Sequence, residues 1–285
     1  MGHYRLFKSN FRKRASSLLF SILLGYVLAL VLVRVFESRL LFFPNYPGRL
    51  AGDWNPRALP VQDVSLASSD GTRLHAWWIP NDQAIFAFLA FHGNAGNLAD
   101  RVSVDQFLRD TPANVLALEY RGHGRSEGKP SEAGFYRDAE AAYLYLVKSK
   151  GADPRKVLSF GQSLGTAVAA HLAAQHEVGG LVLEAPFLSA TRVARRVFWF
   201  LPGLGLLLRS QFDTEVRLKE INVPLLIVHC HQDPVLPFRL GREVYDAARP
   251  PKDFLKIDSD CHEEASVVAP DKYHASLRKF LDSVR

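Results

Sequence analysis

Five residues, Gly161-Gln162-Ser163-Leu164-Gly165, limit what this chain can become more than any other stretch. Leu158, Ser159 and Phe160 lead into them, and Thr166 and Ala167 open a series of small helix formers. An extended segment must therefore turn sharply into a helix there. Glycine suits both flanks, because without a Cβ the chain bends tightly and its neighbours can approach closely. G-x-S-x-G in that setting is the strand-to-helix elbow that lifts a serine hydroxyl clear of a sheet. The helix N-terminus beneath it favours developing negative charge. Five residues match by chance in many chains, so the surroundings must carry the weight.

Those surroundings alternate between strand-like and helix-like segments. Residues 61–67 and 74–79 read as a hairpin across Ser68-Ser69-Asp70-Gly71. Residues 85–91, 114–120, 156–160, 180–184 and 224–230 are short apolar runs, as expected of strands buried on both faces, and 254–258 completes the series. Helical patterns follow at 98–109, 131–150 (with Ser131 as N-cap and Gly151 as stop), 164–176, 239–248 and 271–284. The alternation predicts an α/β class, a mostly parallel sheet covered on both faces. Ligands in such sheets sit beyond the carboxyl ends of the strands, where Ser163, His92, His123 and Asp233 all fall.

The formal charge of +6 suggests nucleic acid until it is located. Arg5, Lys8, Arg12, Lys13 and Arg14 sit in residues 1–14 with no acid among them, which leaves 30 basic residues against 29 acidic ones. No nucleic-acid partner is expected from that balance. The basic head precedes Ala15 to Val33, which holds no charge. As a helix this run is ~28 Å long, near the hydrocarbon thickness. The reading is a basic cytosolic head (1–14), a transmembrane helix (15–36), a connector (37–60) and a folded domain (61–285). The excess of positive charge before the span places the N-terminus in the cytosol and the domain on the non-cytosolic side: periplasmic, extracellular or lumenal. A cleaved signal peptide is the rival, opposed by the length of the run and the lack of a small-x-small cleavage site. An exported domain permits a bridge between Cys230 and Cys261, but the favoured expectation is two ordinary buried thiols. No spaced Cys/His set suggests a metal.

A serine hydroxyl needs a base to take its proton and an acid to orient the base. After such an elbow they follow in the order acid, then histidine. Asp233, in Gln232-Asp233-Pro234 beyond an apolar strand, is the favoured acid. Glu184 is its rival, with the alternative role of satisfying loop N–H groups. His262, just past the last strand, is the base, whereas His274 reads as a surface residue of the C-terminal helix and His123 as structural. Backbone N–H groups of Asn94 and Leu164 are the candidates for holding an oxyanion.

With Phe91-His92-Gly93-Asn94-Ala95-Gly96-Asn97, Tyr120-Arg121-Gly122-His123-Gly124-Arg125-Ser126, the elbow and the Asp233 segment in order, residues 40–285 resemble the Bem46 / ABHD13-like membrane-anchored group of the α/β-hydrolase superfamily. The resemblance implies the α/β-hydrolase fold: a mostly parallel eight-stranded sheet with helices on both faces, joined here to an N-terminal transmembrane helix and a cap insertion at about 187–222. It also implies Ser163 as nucleophile, Asp233 as acid and His262 as base, with no cofactor. Glu119 stands where the group often has Asp, and Cys261 stands ahead of the base where it often has Gly. Between Leu188 and Phe212 the cap carries Arg192, Arg195, Arg196 and Arg209 and no acid, around an apolar run from Val197 to Leu208. Its apolar side can roof the active site or rest on an anionic membrane surface. The expected activity is hydrolysis of a small-molecule or lipid ester or thioester. The alternatives are a peptidase of the same fold and a non-catalytic membrane-tethered interaction module.

Overall fold

The computed structural model describes residues 2–57 and 59–284. Met1 of the basic head, Ala58 of the connector and Arg285 of the domain lie outside the described residues, as do the side chains of residues 2–13, 15, 40 and 206. The chain opens with one helix, α1 (Gly2–Leu41), whose segment Ser16–Arg39 is long and apolar enough to cross a bilayer, with mean hydropathy 2.5. The helix runs five residues beyond the boundary expected at 36. Nothing breaks it before Pro44, and Arg39 in its last turn suits the negative end of the helix dipole. Phe42 then tucks in against Phe135 at 5.2 Å and Phe212 at 6.2 Å, so the end of the helix is packed onto the domain.

Strands β1 (Gln62–Ala67) and β2 (Arg73–Ile79) form the expected hairpin, with Gly71 at φ +82 in its turn. They are followed by β3 (Phe86–Phe91), α2 (Val102–Arg109), β4 (Ala113–Leu118), α3 (Glu132–Leu144), β5 (Val157–Gln162), α4 (Leu164–Gln175) and β6 (Gly180–Glu184). The insertion holds α5 (Ala190–Val197), α6 (Leu204–Leu207) and α7 (Thr214–Leu218). After it come β7 (Leu225–Cys230), α8 (Phe238–Ala247), β8 (Lys252–Ile257), α9 (Ala265–Val268) and α10 (Pro270–Val284). The eight strands lie in the order β1-β2-β4-β3-β5-β6-β7-β8; β2 is antiparallel to both neighbours and the other pairs are parallel.

Every residue of β3, β5, β6 and β7 is buried, because helices cover both faces. On one face α3, α4 and α8 bury Phe135, Val168 and Leu240 against Leu89, Leu116 and Leu183. On the other, Phe107 of α2 and Tyr273 and Leu277 of α10 meet Phe88, Phe160 and Val182. Ser131 caps α3 as expected, its hydroxyl accepting from the Gly134 N–H at 3.2 Å. The helix ends differently from the pattern: α geometry stops at Leu144 and a wider π-helical turn carries the chain to Ser149.

Beyond β4 the turn is held by the buried Arg121, which pairs with two carboxylates. The Arg121 guanidinium donates to Asp138 at 2.6 Å and to Asp70 at 2.7 Å, and the Asp138 carboxylate also accepts the Arg121 N–H at 3.0 Å. Asp138→Ala leaves the guanidinium with Asp70 alone and should lower unfolding stability by about 1.5–3 kcal/mol, the cost of lost charged hydrogen bonds, measured as a fall in the urea midpoint.

Candidate active site

The elbow begins at the carboxyl end of β5, where a Cβ on Gly161 would stand 2.3 Å from the Gly165 carbonyl oxygen. A Cβ on Gly165 would stand 2.1 Å from the Phe91 carbonyl oxygen and 2.6 Å from that of His92. Only hydrogen fits at either place, so the first turn of α4 lies directly against the end of β3. Between them Ser163 adopts φ +49, ψ −115. That backbone is strained for a residue with a side chain and costs on the order of 1–3 kcal/mol. The Ser163 N–H donates to Glu184 O at 2.9 Å, and its carbonyl accepts from Thr166 N at 3.0 Å. Both bonds hold the residue in that conformation with its hydroxyl beyond the sheet edge.

His262 arrives from the loop after β8. Its Nε2 lies 2.9 Å from Ser163 Oγ and its Nδ1 2.7 Å from Asp233 Oδ2. The second oxygen of Asp233 accepts the N–H groups of Val235 and Leu236, each at 2.8 Å, and His229 Nε2 stands 3.3 Å from Oδ2. Burial pushes the Asp233 carboxyl up, but hydrogen bonds from His229, His262 and Leu236 outweigh it and hold the group well below the usual carboxylate range. His262 shows the opposite balance. Burial lowers its pKa, while the Asp233 hydrogen bond and the charges of Glu263, Asp233 and Glu264 more than restore it, so the net shift is upward.

Glu184 occupies a different place. Its Oε1 accepts the Ala265 N–H at 3.2 Å and its Oε2 accepts from Gln162 Nε2 at 3.2 Å. Burial pushes its pKa up to about 8, so at neutral pH it is mainly the uncharged acid. Gln162 also donates to Glu263 O at 2.9 Å. Glu184 and Gln162 together therefore brace the His262 loop from beneath. The structure brings Asp233, not Glu184, to the histidine.

Asn94 sits on the loop after β3, and Leu164 is the first residue of α4. Neither backbone N–H has an acceptor among the described residues; for Leu164 this is the orphan donor of a helix start. His123 is fully buried with Nε2 3.3 Å from the Asn94 carbonyl, which gives it the supporting role expected from its glycine-rich turn. His92 Nε2 lies 3.1 Å from Glu119 Oε1. Burial, aided by the Arg101 charge, depresses His92 to about 4, and burial lifts Glu119 to about 7. Across the loops Arg101 Nη1 meets Glu263 Oε2 at 2.9 Å and Nη2 donates to Ala95 O at 2.8 Å, linking the Asn94 loop to the His262 loop. His274 is half-buried on α10, the C-terminal helix, with its ring 4.1 Å from that of Phe107.

A family model described as alpha/beta hydrolase fold matches residues 87–205. A protein of Arabidopsis thaliana named alpha/beta hydrolase domain-containing protein WAV2 is 33% identical over 284 residues, covering 90% of this chain and 92% of that one. The chain belongs to the α/β-hydrolase superfamily. An uncharacterised protein of Mycobacterium tuberculosis is 32% identical, with 86% of this chain and 87% of the other covered. Among solved structures, the Pyrococcus furiosus esterase Pf2001 superposes with a TM-score of 0.71 at 22% identity, covering 85% of this α/β-hydrolase and 97% of that chain. An α/β-hydrolase from Vibrio vulnificus gives 0.66 at 24% identity, covering 77% and 81%.

Where two separate thiols were expected, Cys230 and Cys261 form a disulfide, with Cα atoms 5.6 Å apart. Cys230 ends β7, three residues before Asp233, and Cys261 immediately precedes His262. Parallel pairing of β7 with β8 aligns the two loops, since His231 N donates to Ile257 O at 2.7 Å and Gln232 N to Ser259 O at 3.0 Å. The bridge thus joins the aspartate loop to the histidine loop. Sequence reasoning also passed over Arg101, Gln162 and Glu263. Each is an ordinary polar residue whose place depends on loops distant in the chain; the positions of Gln162 beside Ser163 and Glu263 beside His262 offered the only signals.

Both the bridge and the histidine can be probed directly. Closing a loop of 31 residues is worth about 3–4 kcal/mol in the chain-entropy account, so Cys230→Ser with Cys261→Ser should lower the melting temperature and abolish its sensitivity to reductant. Because the His262 shift is upward, the imidazole should gain its proton as pH falls at a value above 6.5. Glu263→Gln removes a charge favouring the imidazolium and should bring that titration down, as followed by NMR of labelled histidine.

Proposed function

We propose that this α/β-hydrolase is a membrane-anchored serine hydrolase of the Bem46 / ABHD13-like group that cleaves an ester or thioester through an acyl-enzyme. The observation that carries the reading is the continuous hydrogen-bonded line from Ser163 Oγ through His262 to Asp233, at 2.9 and 2.7 Å. In this mechanism His262 Nε2 takes the hydroxyl proton as Ser163 Oγ attacks the substrate carbonyl carbon. The carbonyl oxygen becomes an oxyanion, held by the Asn94 and Leu164 N–H groups. As the tetrahedral adduct collapses, the imidazolium returns the proton to the departing alcohol or thiol. Water, deprotonated by the same nitrogen, then releases the acid and regenerates Ser163. Asp233 stays ionised throughout and holds the Nδ1–H tautomer. No step calls for a cofactor.

Membrane attachment is supported by the apolar length of α1, and a cytosolic N-terminus by the basic head that precedes it. The Cys230–Cys261 disulfide supports an oxidising, non-cytosolic location for the catalytic domain.

Fluorophosphonate labelling of the folded protein should vanish in Ser163→Ala; equal labelling of both proteins sinks the reading. With p-nitrophenyl esters, Asp233→Asn should reduce kcat by about 10⁴, while Glu184→Gln keeps most of the activity. The rate should rise with pH through the ionisation of His262, since only the neutral imidazole accepts the serine proton.

A further inference from the structure

The insertion contains a hairpin whose two ends differ in chemistry. Its root is polar and tied to the domain: Arg192 pairs with Glu215 at 2.8 Å and Arg196 with Glu243 at 2.9 Å. From Val197 to Leu208 no residue carries a charge, and Arg209 closes the run. The tip is aromatic and open. Trp199 is 78% exposed and Phe200 59%, with the Phe200 ring 6.2 Å from both Trp199 and Phe198. A contiguous apolar patch of this kind marks a surface meant to be covered.

What covers it is indicated by α1, which runs alongside. At the root the Glu37 carboxylate accepts the Arg209 and Ser210 N–H groups at 2.9 and 2.8 Å. At the tip the Tyr26 hydroxyl donates to the Pro202 carbonyl. Tyr26 lies within the apolar segment Ser16–Arg39. Eight helical residues separate it from Arg34, so it sits about 12 Å below the level of that charge, inside a hydrocarbon half-layer about 15 Å deep. The hairpin tip, joined to Tyr26, shares that depth.

Part of the hairpin's backbone pairs within the chain, which lowers the cost of leaving water. Phe198 N donates to Ala194 O at 2.8 Å, Leu201 N to Phe198 O at 2.9 Å and Leu204 N to Leu201 O at 3.2 Å. Pro202 has no N–H, and its carbonyl takes the Tyr26 hydroxyl, so two groups that would each be costly alone in hydrocarbon satisfy one another. We propose that residues 197–208 form a re-entrant hairpin buried in the hydrocarbon of the leaflet on the catalytic-domain side, packed along α1, with the lipid bilayer as its partner. The inference rests on the reading of α1 as a spanning helix. It fixes the height of the domain above the leaflet: α5, eight residues long, joins the embedded tip to the end of β6, whose Glu184 carbonyl holds the Ser163 N–H.

The test uses the full chain in vesicles of lipids brominated at the 6,7 or 9,10 acyl positions, with tryptophan fluorescence as the readout, so turnover plays no part. Bromolipids should quench a component of the emission that disappears in Trp199→Phe, and aqueous iodide should leave that component untouched. A second variant, Leu24→Trp in the Trp199→Phe background, reports on α1 alone. If the emission added by Leu24→Trp is quenched by bromolipid while that of Trp199 is not, the hairpin lies outside the hydrocarbon and the proposal is overturned with the anchor intact. If neither is quenched, α1 does not span, and the anchor reading and the hairpin fall together. Quenching of both supports the insertion.

Discussion

Closeness without side chains governs the carboxyl edge of this sheet. Gly161 and Gly165 let β5 turn into α4 with backbone against backbone, and Gly165 lets that helix rest on the last carbonyls of β3. The loop carrying Asn94 is brought beside Ser163 by the same contact. A methyl group at either glycine would force apart the elements whose ends make the site. The strained backbone of Ser163 persists because buried strands on both sides over-determine it.

Around that edge the protein sorts ionisable groups by how well each is paired. Asp233 is buried yet strongly ionised, because two backbone N–H groups and His262 donate to it. Glu184 is buried with fewer donors and is held mainly neutral, and desolvation acts on Glu119 and His92 in the same direction. Two acids at adjacent strand ends thus carry different work: one orients the histidine and the other braces the loop that carries it. The Arg101–Glu263 pair and the Cys230–Cys261 bridge tie that loop to its neighbours, so three loops from distant parts of the chain are cross-linked at the site.

The strands were legible because burial on both faces leaves continuous apolar runs, and the observed strand boundaries depart from the expected ones by only a few residues. Ser163 was legible from its flanking glycines, whose absent Cβ atoms are a local requirement, and Asp233 and His262 from their order and their places beyond strand ends. The choice between Asp233 and Glu184 was not decided by pattern, since both end apolar strands; the path of the His262 loop decides it. Sequence left the Cys230–Cys261 bridge open, because 31 residues separate the cysteines and only the β7–β8 register brings them together. The helix itself continues past the apolar segment to Leu41, because charge at Arg34, Glu37 and Arg39 ends an apolar run without breaking helical hydrogen bonding.

The alternation of elements, the apolar N-terminal helix, the elbow and the candidate residues around it are all written in the amino-acid order. All of these follow from local rules: periodicity, absent Cβ atoms and unbroken apolar length. Which acid meets His262, the bond between Cys230 and Cys261, and the reach of Tyr26 to Pro202 across 176 residues of chain emerge only from the packed fold. Those contacts depend on strand order and helix docking, which bring side chains together through space and leave no mark in the spacing of residues.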